Sequence, residues 1–300
     1  MKQWQTRLIL THQNGTINCE NLKIRRGIFQ GDSLSPLLFC ISLIPLSLEV
    51  NNSGCGYKIG ENKFSHLFYM DDFKLYGKDD NEIEGLLKIV KGFSDHIGME
   101  FGLDKCAKAT FKRGKLQETD NINLDEKTMI KDLEQEGVYK YLGVNEGDGI
   151  QHASMKEKLR KEVIRRIRAI LRTELNSKNR ITAMNTLAVL VITYSFNIIN
   201  WNLTEIQKLN GKVRKLLTVH KMHHPKADVE RLYLPRSNGG RGMTQFELSY
   251  KTATIGLYGY LDLSQDWMMQ RVFQHELYSV IKEERKFANE LDLEIELREE

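Results

Sequence analysis

The chain has 300 residues, of which 41% are hydrophobic and 28% are charged, and its formal net charge is +4. This length and composition exclude a disordered chain and predict a buried core divided between two domains. No apolar run approaches the roughly 20 residues of a membrane span, and the first residues lack a signal-peptide core. The sequence therefore predicts a soluble intracellular protein without a membrane partner, in the nucleus or the cytoplasm.

The cysteines predict no disulfide, zinc or redox site. They stand at positions 19, 40, 55 and 106, and no two have the CxxC spacing. We expect four reduced thiols, two or three of them in the core.

The charge is unevenly distributed along the chain. Residues 1–150 contain 19 Lys and Arg against 22 Asp and Glu, whereas residues 151–260 contain 20 against 7. Residues 261–300 contain 5 against 11. A basic region followed by an acidic tail indicates a nucleic-acid surface, and the alternative is a solvated helical surface.

Short strands and helices alternate in the first half. In chain order we predict a strand over 16–28, a helix capped by Ser35, strands over 63–70 and 73–76, a helix over 81–97, and strands over 99–111 and 139–144. Only Asp71-Asp72 separates the apolar segments 63–70 and 73–76, which predicts a tight hairpin.

Helical patterns dominate the second half. An apolar stripe runs from Met155 to Leu175, with basic residues on the other faces. Further helices are predicted over 178–200, over 204–219 and in the tail, with a glycine-rich break over 237–242. The predicted fold class is therefore α+β, with an all-helical part that begins near residue 150.

Asp71 and Asp72 are the strongest chemical signal in the sequence. Two adjacent carboxylates at the tip of an apolar hairpin are costly to place near a core without a cation. Hard divalent cations such as Mg²⁺ prefer carboxylate oxygens, and two such ions can stabilise the attacking and leaving oxygens of phosphoryl transfer. The alternative is an ordinary turn, because Asp is frequent in turns.

Several segments resemble the reverse transcriptases of non-LTR (LINE-type) retrotransposons. RRGIFQGDSLSPLLFCISL (25–43) is similar to their RGxxQGDxLSPxLF signature, and FYMDDFKLYG (68–77) is similar to their YxDD box. FGLDKCAKATF (101–111) resembles the strand after that box, and YKYLGV (139–144) resembles the primer grip. Two later segments, 175–201 and 220–242, resemble the region that follows the polymerase palm, so the resemblance covers about residues 16–260.

The resemblance implies a fold and an activity. It implies a partial polymerase palm over 1–149 with a small antiparallel sheet, a helical thumb-like region over 150–236, and a further helical region over 237–300. The implied activity is RNA-directed DNA synthesis, with an RNA template, a DNA primer, deoxynucleoside triphosphates and Mg²⁺ or Mn²⁺.

The resemblance also implies roles for single residues. Asp71 would bind the catalytic metals, and Asp72 would support or join it. Lys105 would approach the triphosphate as a point charge or as the proton donor to pyrophosphate. Gln30 and Gly31 would border the nucleotide and template, and Tyr69 would lie beneath the primer end. The primer strand would be held by Tyr141, Leu142 and Gly143.

One part of the family pattern is not present. The family's first metal-binding Asp lies upstream of the Gln-Gly box, together with the fingers, but the 29 residues before Gln30 contain Glu20 as their only acidic residue. We therefore expect a truncated polymerase that is inactive alone. The alternatives are a product without function and a non-catalytic nucleic-acid-binding remnant. In that remnant the basic helices, through Arg165, Arg166, Arg168 and Arg172, would contact the nucleic-acid backbone.

A histidine cluster offers one more candidate site. His220, His223 and His224, with Asp228 four residues on, have a spacing that could bind Zn²⁺. Pro225 interrupts any helix there, and the surroundings are basic. A basic nucleic-acid contact or a helix C-terminal cap is therefore the favoured interpretation.

Overall fold

A computed structural model describes residues 5–12, 15–24, 27–28, 30–125, 128–134, 137–275 and 287. The chain forms two compact units, Met1–Gly143 and Val144–Glu300. This boundary lies a few residues before the predicted one, and the boundary expected at 236/237 falls inside the second unit. The first unit mixes strands with helices and the second is mainly helical, which confirms the α+β class.

The first unit contains two long helices among short strands. In chain order its elements are β1 Gln5–Thr6, β2 Ile9–His12, β3 Gly15–Asn18, β4 Leu22–Lys23, α1 Ser35–Asn52, β5 Tyr57–Ile59, β6 Asn62–Phe64, β7 His66–Tyr69, β8 Asp72–Leu75, α2 Asp80–Ile97, a 3₁₀ turn Leu103–Lys105, β9 Ala107–Lys108, β10 Thr110–Lys112, β11 Lys115–Gln117, β12 Ile122–Asn123, β13 Met129–Asp132 and β14 Tyr139–Tyr141. The antiparallel pairs are β1–β4, β2–β3, β5–β6, β7–β8, β10–β11 and β12–β13, and β13 also pairs in parallel with β9.

The core of the first unit lies between α1, α2 and the β7–β8 hairpin. Its buried residues are Leu43, Leu46 and Val50 of α1 and Leu86 and Val90 of α2, with Phe68 and Phe73 of the hairpin packed against them. The sequence of α2 explains its ends, because Asp79 caps it and accepts a hydrogen bond from the Glu82 amide. The left-handed Gly98 (φ 73°) then ends it.

Helix α1 is apolar on nearly all sides, and only one side is covered by described residues. Glu49 is the only charged residue among its 18. An exposed apolar row, the α1 row, runs along the outer side at intervals of three and four residues and consists of Leu34, Leu37, Ile41, Ile44 and Leu48. Periodicity alone could not have shown which side of such a helix is buried.

The second unit begins with the short pair β15 Val144–Gly147 and β16 Gly149–Ile150. Its helices are α3 His152–Leu171, α4 Ser177–Met184, a π-helical turn Asn185–Val189, α5 Leu190–Thr193, α6 Leu203–Val219, α7 Glu230–Tyr233, a 3₁₀ turn Arg236–Asn238 and α8 Phe246–Leu263. Residues 267–275 are also helical. The rest of the predicted tail helix lies outside the described residues, except residue 287.

One large core holds the second unit together. Val163 and Ile167 of α3, Ile206 of α6 and Phe246 of α8 are fully buried in it. At the edge of this core Glu205 accepts hydrogen bonds from both Lys156 and Arg160, each at 2.7 Å. The ammonium of Lys156 and the guanidinium of Arg160 also lie over the ring of buried Trp201, at 5.7 and 5.2 Å.

Several local predictions need correction. The strand expected over 16–28 consists of the shorter β3 and β4, and the strand expected over 99–111 consists of a 3₁₀ turn, β9 and β10. Ser35 is the first residue of α1 and not its cap; the cap position is Leu34, whose amide donates to Asp32 Oδ1 at 3.0 Å. The helix expected over 178–200 is interrupted by the π-helical turn and ends at residue 193.

The cysteines also differ in part from expectation. All four are free thiols, but none is buried: Cys19 and Cys40 are exposed, and Cys55 and Cys106 are half-buried. Burial, reinforced by the nearby Asp104, raises the pKa of the Cys106 thiol. In the described part of the chain, no helix combines the length and the apolar character that crossing a bilayer requires.

Candidate active site and nucleic-acid surface

The predicted hairpin around Asp71 and Asp72 is present, but its turn is shifted by one residue. Tyr69 pairs with Asp72, so Met70 and Asp71 form the two-residue turn and Asp72 begins β8. Met70 has a φ of 54°, a left-handed conformation that costs a side chain with a Cβ about 1–2 kcal/mol. The shift separates the two aspartates, with Asp71 at the tip and Asp72 on the strand.

Packing beneath the hairpin holds its turn in place. The rings of Phe68 and Phe73 lie 4.4 Å apart across the two strands, and Phe68 also stacks on His66 at 4.3 Å. The Cys40 thiol of α1 contacts Met70 Sδ at 3.7 Å, so the turn lies beside that helix. Burial lowers the pKa of His66, whose Nε2 lies 2.8 Å from Ser47 Oγ on α1.

The two carboxylates of the β7–β8 hairpin differ from the other Asp-Asp pair of the chain. Asp79 Oδ1 accepts a hydrogen bond from the Glu82 amide at 3.0 Å, and Asp80 Oδ1 accepts one from Lys108 Nζ at 3.1 Å. Both carboxylates of that pair therefore already have partners within the fold. Asp71 and Asp72 are exposed and have no hydrogen-bond or ion-pair partner among the described residues. Their oxygens are therefore free to bind a cation.

The primer-grip segment lies next to the hairpin. The ammonium of Lys74, on β8, lies 4.7 Å from the centre of the Tyr141 ring, on β14. Leu142 (φ 45°) and Gly143 (φ 86°) follow as a turn with two left-handed residues. Sequence reasoning missed Lys74, although an alternating strand pattern places it two residues beyond Asp72.

Other predicted site residues are exposed in loops. Gln30 is in a turn with Gly31, whose φ of 92° favours glycine, while Phe29, Arg25 and Arg26 lie outside the described residues. Tyr69 is 61% exposed at the end of β7.

Lys105 differs from its predicted setting. It ends the 3₁₀ turn and is exposed, and it does not lie in a strand. No hydrogen bond or ion pair among the described residues joins Asp71 or Asp72 to it or to Gln30.

The two predicted metal sites, at the Asp71-Asp72 hairpin and at the histidine cluster, have fewer ligands than a metal ion held by protein groups alone needs. Within the described ranges no group of three or more His, Cys, Asp and Glu could hold a metal ion. His220 occupies the cap position at the C-terminus of α6, and His223 is buried. The hairpin pair still suits Mg²⁺, which commonly takes one or two carboxylates together with water and substrate phosphates.

The cations on the surface of α3 are spaced more regularly than the sequence suggested. Five exposed cations, which we call the α3 row, repeat at intervals of three and four residues opposite the buried face: Lys158, Lys161, Arg165, Arg168 and Arg172. The row is about 21 Å long at 1.5 Å per residue. Lys158, Arg168 and Arg172 have no acceptor among the described residues.

The four predicted arginines therefore fall into two classes. Arg165 and Arg166 both donate hydrogen bonds to the Glu162 carboxylate at 2.7 Å. These hydrogen bonds, the one from Arg165 contributing most, lower the pKa of Glu162 to about 2. Arg166 also donates to the Leu187 carbonyl in the π-helical turn at 2.7 Å. Glu162 lies three and four residues before these arginines, the spacing of helical ion pairs, so sequence reasoning could have found this arrangement.

Comparison with known proteins agrees with the geometry of the first unit. Residues 1–145 match the family described as reverse transcriptase (RNA-dependent DNA polymerase). The chain is 29% identical over 140 residues to an uncharacterized protein of Caenorhabditis elegans, which is 46% of this chain and 39% of that protein. It is 28% identical over 124 residues to the retrovirus-related Pol polyprotein from type-2 retrotransposable element R2DM of Drosophila melanogaster, which is 40% of this chain and 12% of that protein.

The matched region spans well under half the length of either relative. The family match contains both the Gln30–Gly31 turn and the Asp71-Asp72 hairpin. Residues 1–145, just under half of the chain, are thus similar to the reverse transcriptase family, and 124 residues of the chain are similar to the Pol polyprotein of a retrotransposable element.

Proposed function

We propose that this chain supplies part of an RNA-directed DNA polymerase, with Asp71 and Asp72 as ligands of Mg²⁺ or Mn²⁺. The observation that carries the proposal is that these two carboxylates are exposed and without a partner among the described residues, whereas Asp79 and Asp80 are committed to structure. A divalent ion bound there would supply charge stabilisation to the transferring phosphoryl group.

The other residues of the first unit position the substrates in this proposal. Gln30 and Gly31 border the nucleotide and the template, and Gly31 allows close approach of the backbone. Tyr69, exposed beside the aspartates, supports the primer end. Lys105 neutralises the triphosphate or gives a proton to the leaving pyrophosphate.

Tyr141, Leu142 and Gly143 hold the primer strand. The Lys74 ammonium over the Tyr141 ring links this segment to the strand that carries Asp72. The partners are thus an RNA template, a DNA primer and deoxynucleoside triphosphates.

Metal binding can be tested at the hairpin itself. Mn²⁺ broadens the NMR signals of nearby nuclei, and the Met70 methyl group, beside Asp71, is the probe. We expect Mn²⁺ to broaden this signal in the native chain and to leave it sharp in Asp71→Asn. Asp80→Asn is the matched control, because it removes a carboxylate that pairs with Lys108, and it should leave the broadening unchanged. Equal broadening in native chain and Asp71→Asn would contradict the proposal.

We propose further that the 300 residues are inactive as a polymerase by themselves. Two-metal catalysis uses carboxylates from more than one strand, and Glu20 is the only acidic residue before Gln30. Primer extension on an RNA template with Mg²⁺ should give no product above background. Robust extension that Asp71→Ala abolishes would refute this part of the proposal.

A second candidate function is non-catalytic binding to nucleic acid, and the α3 row favours it. Unpaired cations opposite a buried face suit a phosphate backbone, which they bind with release of counterions. We propose that Arg168 and Arg172 make the main contacts, together with Lys158. Lys161 and Arg165 join them when they leave their ion pairs with Glu157 and Glu162. Arg166 serves the fold.

Fluorescence anisotropy with a labelled RNA–DNA duplex separates these roles. Arg168→Gln with Arg172→Gln should weaken binding about tenfold and flatten its salt dependence, whereas Arg166→Gln should leave affinity unchanged. The competing account is that the row only keeps the helix in solution. It predicts no binding at low salt, where attraction between charges is strongest.

A further inference from the structure

Two arginines of the second unit donate hydrogen bonds to residues at the start of α4 and just before it. Arg241, in the glycine-rich turn before α8, donates from Nη1 to Ser177 Oγ at 3.4 Å. Arg180, one helical turn after Ser177, donates from Nη2 back to the Thr173 carbonyl at 2.5 Å. Both arginines are half-buried. We call the group formed by Ser177, Arg180 and Arg241 the α4 corner.

The α4 corner has more donors than acceptors. A guanidinium has five N–H groups, and no carboxylate of the described residues pairs with either arginine. Arg180 Nε is buried and has no partner at all within that part of the chain. By contrast, the half-buried Lys156 pairs with Glu205, and the buried Lys251 pairs with Glu247. Unpaired, partly buried cations are unfavourable unless an anion joins them.

The turn that carries Arg241 is held firmly. The Arg241 amide donates to the Arg231 carbonyl at 2.9 Å, and the Gly242 amide donates to the Leu234 carbonyl at 2.8 Å. A Cβ at Gly240 would come within 2.0 Å of that same carbonyl oxygen, so glycine is required there. The Arg241 guanidinium is therefore presented on a fixed backbone.

The surroundings of the corner are positive. Burial, then the charges of Arg241, Arg214 and His224, lower the pKa of the buried His223 imidazole. None of these contributions comes from a carboxylate. The hydroxyl of Tyr233 accepts a hydrogen bond from Arg214, so this cation also has a neutral acceptor.

We propose that the α4 corner binds one phosphate group, through the free N–H groups of Arg241 and Arg180 and the hydroxyl of Ser177. Planar guanidinium groups match phosphate oxygens in pairs, and phosphate is the common biological anion with enough acceptors for both. The group is a backbone phosphate of nucleic acid or a free phosphate. The first source rests on the proposed function: the α3 row ends at Arg172, directly before Thr173, so a bound strand would lead to this corner.

Inorganic phosphate is the first probe. Titrated into the full chain at constant ionic strength, it should raise the melting temperature progressively with the logarithm of its concentration, and its own ³¹P signal should broaden through saturable binding. Arg241→Met should weaken this binding roughly tenfold or more, the effect of losing a charge-assisted hydrogen bond. Arg236→Met, an exposed arginine in the same turn, should bind as the native chain does. Absence of saturable binding, or equal binding in Arg241→Met, would overturn the proposal.

A second pair of variants covers the case in which Arg241→Met does not fold. Arg241→Lys and Arg180→Lys keep the charge and remove the paired N–H geometry, and circular dichroism reports their folding. Folded variants should bind phosphate several-fold more weakly. Native affinity in both would overturn the proposal.

Competition distinguishes the source of the phosphate and separates this proposal from the one above. A short oligonucleotide that displaces inorganic phosphate identifies a backbone phosphate, and one that does not displace it identifies a free phosphate. The double variant Arg168→Gln with Arg172→Gln should bind the duplex more weakly and should bind inorganic phosphate as the native chain does. If the duplex fails to bind while phosphate still binds, the nucleic-acid function is wrong and the phosphate site stands.

Discussion

The two units distribute their apolar residues in opposite ways. In the second unit, 24 buried hydrophobic residues of the described chain form one core, whereas the core of the first unit has five. The first unit instead exposes the α1 row and both strands of the β2–β3 hairpin. Apolar content alone therefore does not make a core. The apolar positions must share one side of their elements, as they do in α3 and do not in α1.

The units differ in backbone strain as well. Of the described residues other than glycine, Met70, Arg113, Leu142 and Lys221 have a positive φ, and only Lys221 belongs to the second unit. Met70 and Leu142 lie in the segments with proposed catalytic and primer-binding roles. Strain of this kind persists where surrounding structure enforces it, and it concentrates at functional sites.

The largest expected effect tests the difference between the cores. Phe246→Ala should lower the free energy of unfolding of the second unit by about 3–5 kcal/mol, because the side chain is fully buried. Leu37→Ala, in the α1 row, should change stability by less than about 0.5 kcal/mol. Urea unfolding followed by circular dichroism measures both, and tryptophan fluorescence, to which the buried Trp201 contributes, adds a signal from the second unit. A cost for Leu37→Ala as large as that for Phe246→Ala would show that the α1 row is covered in solution.

The next effect concerns the charged edge of the second core. Burial raises the pKa of Glu205, but hydrogen bonds from Lys156, the Asn202 amide and Arg160 outweigh it and lower the pKa to about 2. Glu205→Gln should therefore cost about 2 kcal/mol at pH 7, because it leaves two cations without their carboxylate.

The same change should alter the pH dependence of stability. A carboxyl group with a lowered pKa stabilises the fold above its unfolded value of 4.5, and this contribution is lost as the pH falls toward 2. Native protein should thus lose more stability than Glu205→Gln between pH 5 and about pH 2. Parallel losses in urea unfolding across that range would contradict the assignment.

A smaller effect separates structural from surface arginines. Arg166→Gln should destabilise the second unit by about 1–2 kcal/mol, because the Leu187 carbonyl in the π-helical turn loses its charged donor. Arg168→Gln, on the α3 row, should be nearly neutral in the same thermal unfolding experiment. Equal melting temperatures for the two variants would mean that Arg166 does not hold the turn.

The smallest effect tests strain in the first unit. Met70→Gly should stabilise the hairpin by at most about 1 kcal/mol, since glycine accepts the left-handed φ but loses more chain entropy on folding. Hydrogen exchange of the β7 and β8 amides measures this locally. Lys221→Gly, the matched change in the second unit, should have a similar effect there. Marked destabilisation by Met70→Gly would show that the contact with Cys40 outweighs the strain.

The sequence by itself determined the elements whose signals are local. The α2 helix, with Asp79 before it and Gly98 after it, and the amphipathic α3 helix follow from capping and period, and the α+β class follows from their order. The two boxes around Gln30 and Asp71 also sufficed to indicate the family. These features depend on residues close together in the chain, which is why pattern reasoning could reach them.

Tertiary structure decided the features that depend on distant partners. The register of the hairpin, which places Met70 and not Asp72 in the turn, follows from pairing and from packing against α1. Which side of α1 is buried, and which unit holds the large core, were also open in the sequence. The meeting of Arg241 with Ser177, 64 residues apart, had no sequence signal. Each of these depends on contacts whose energy exists only when the elements pack, and local periodicity does not encode it.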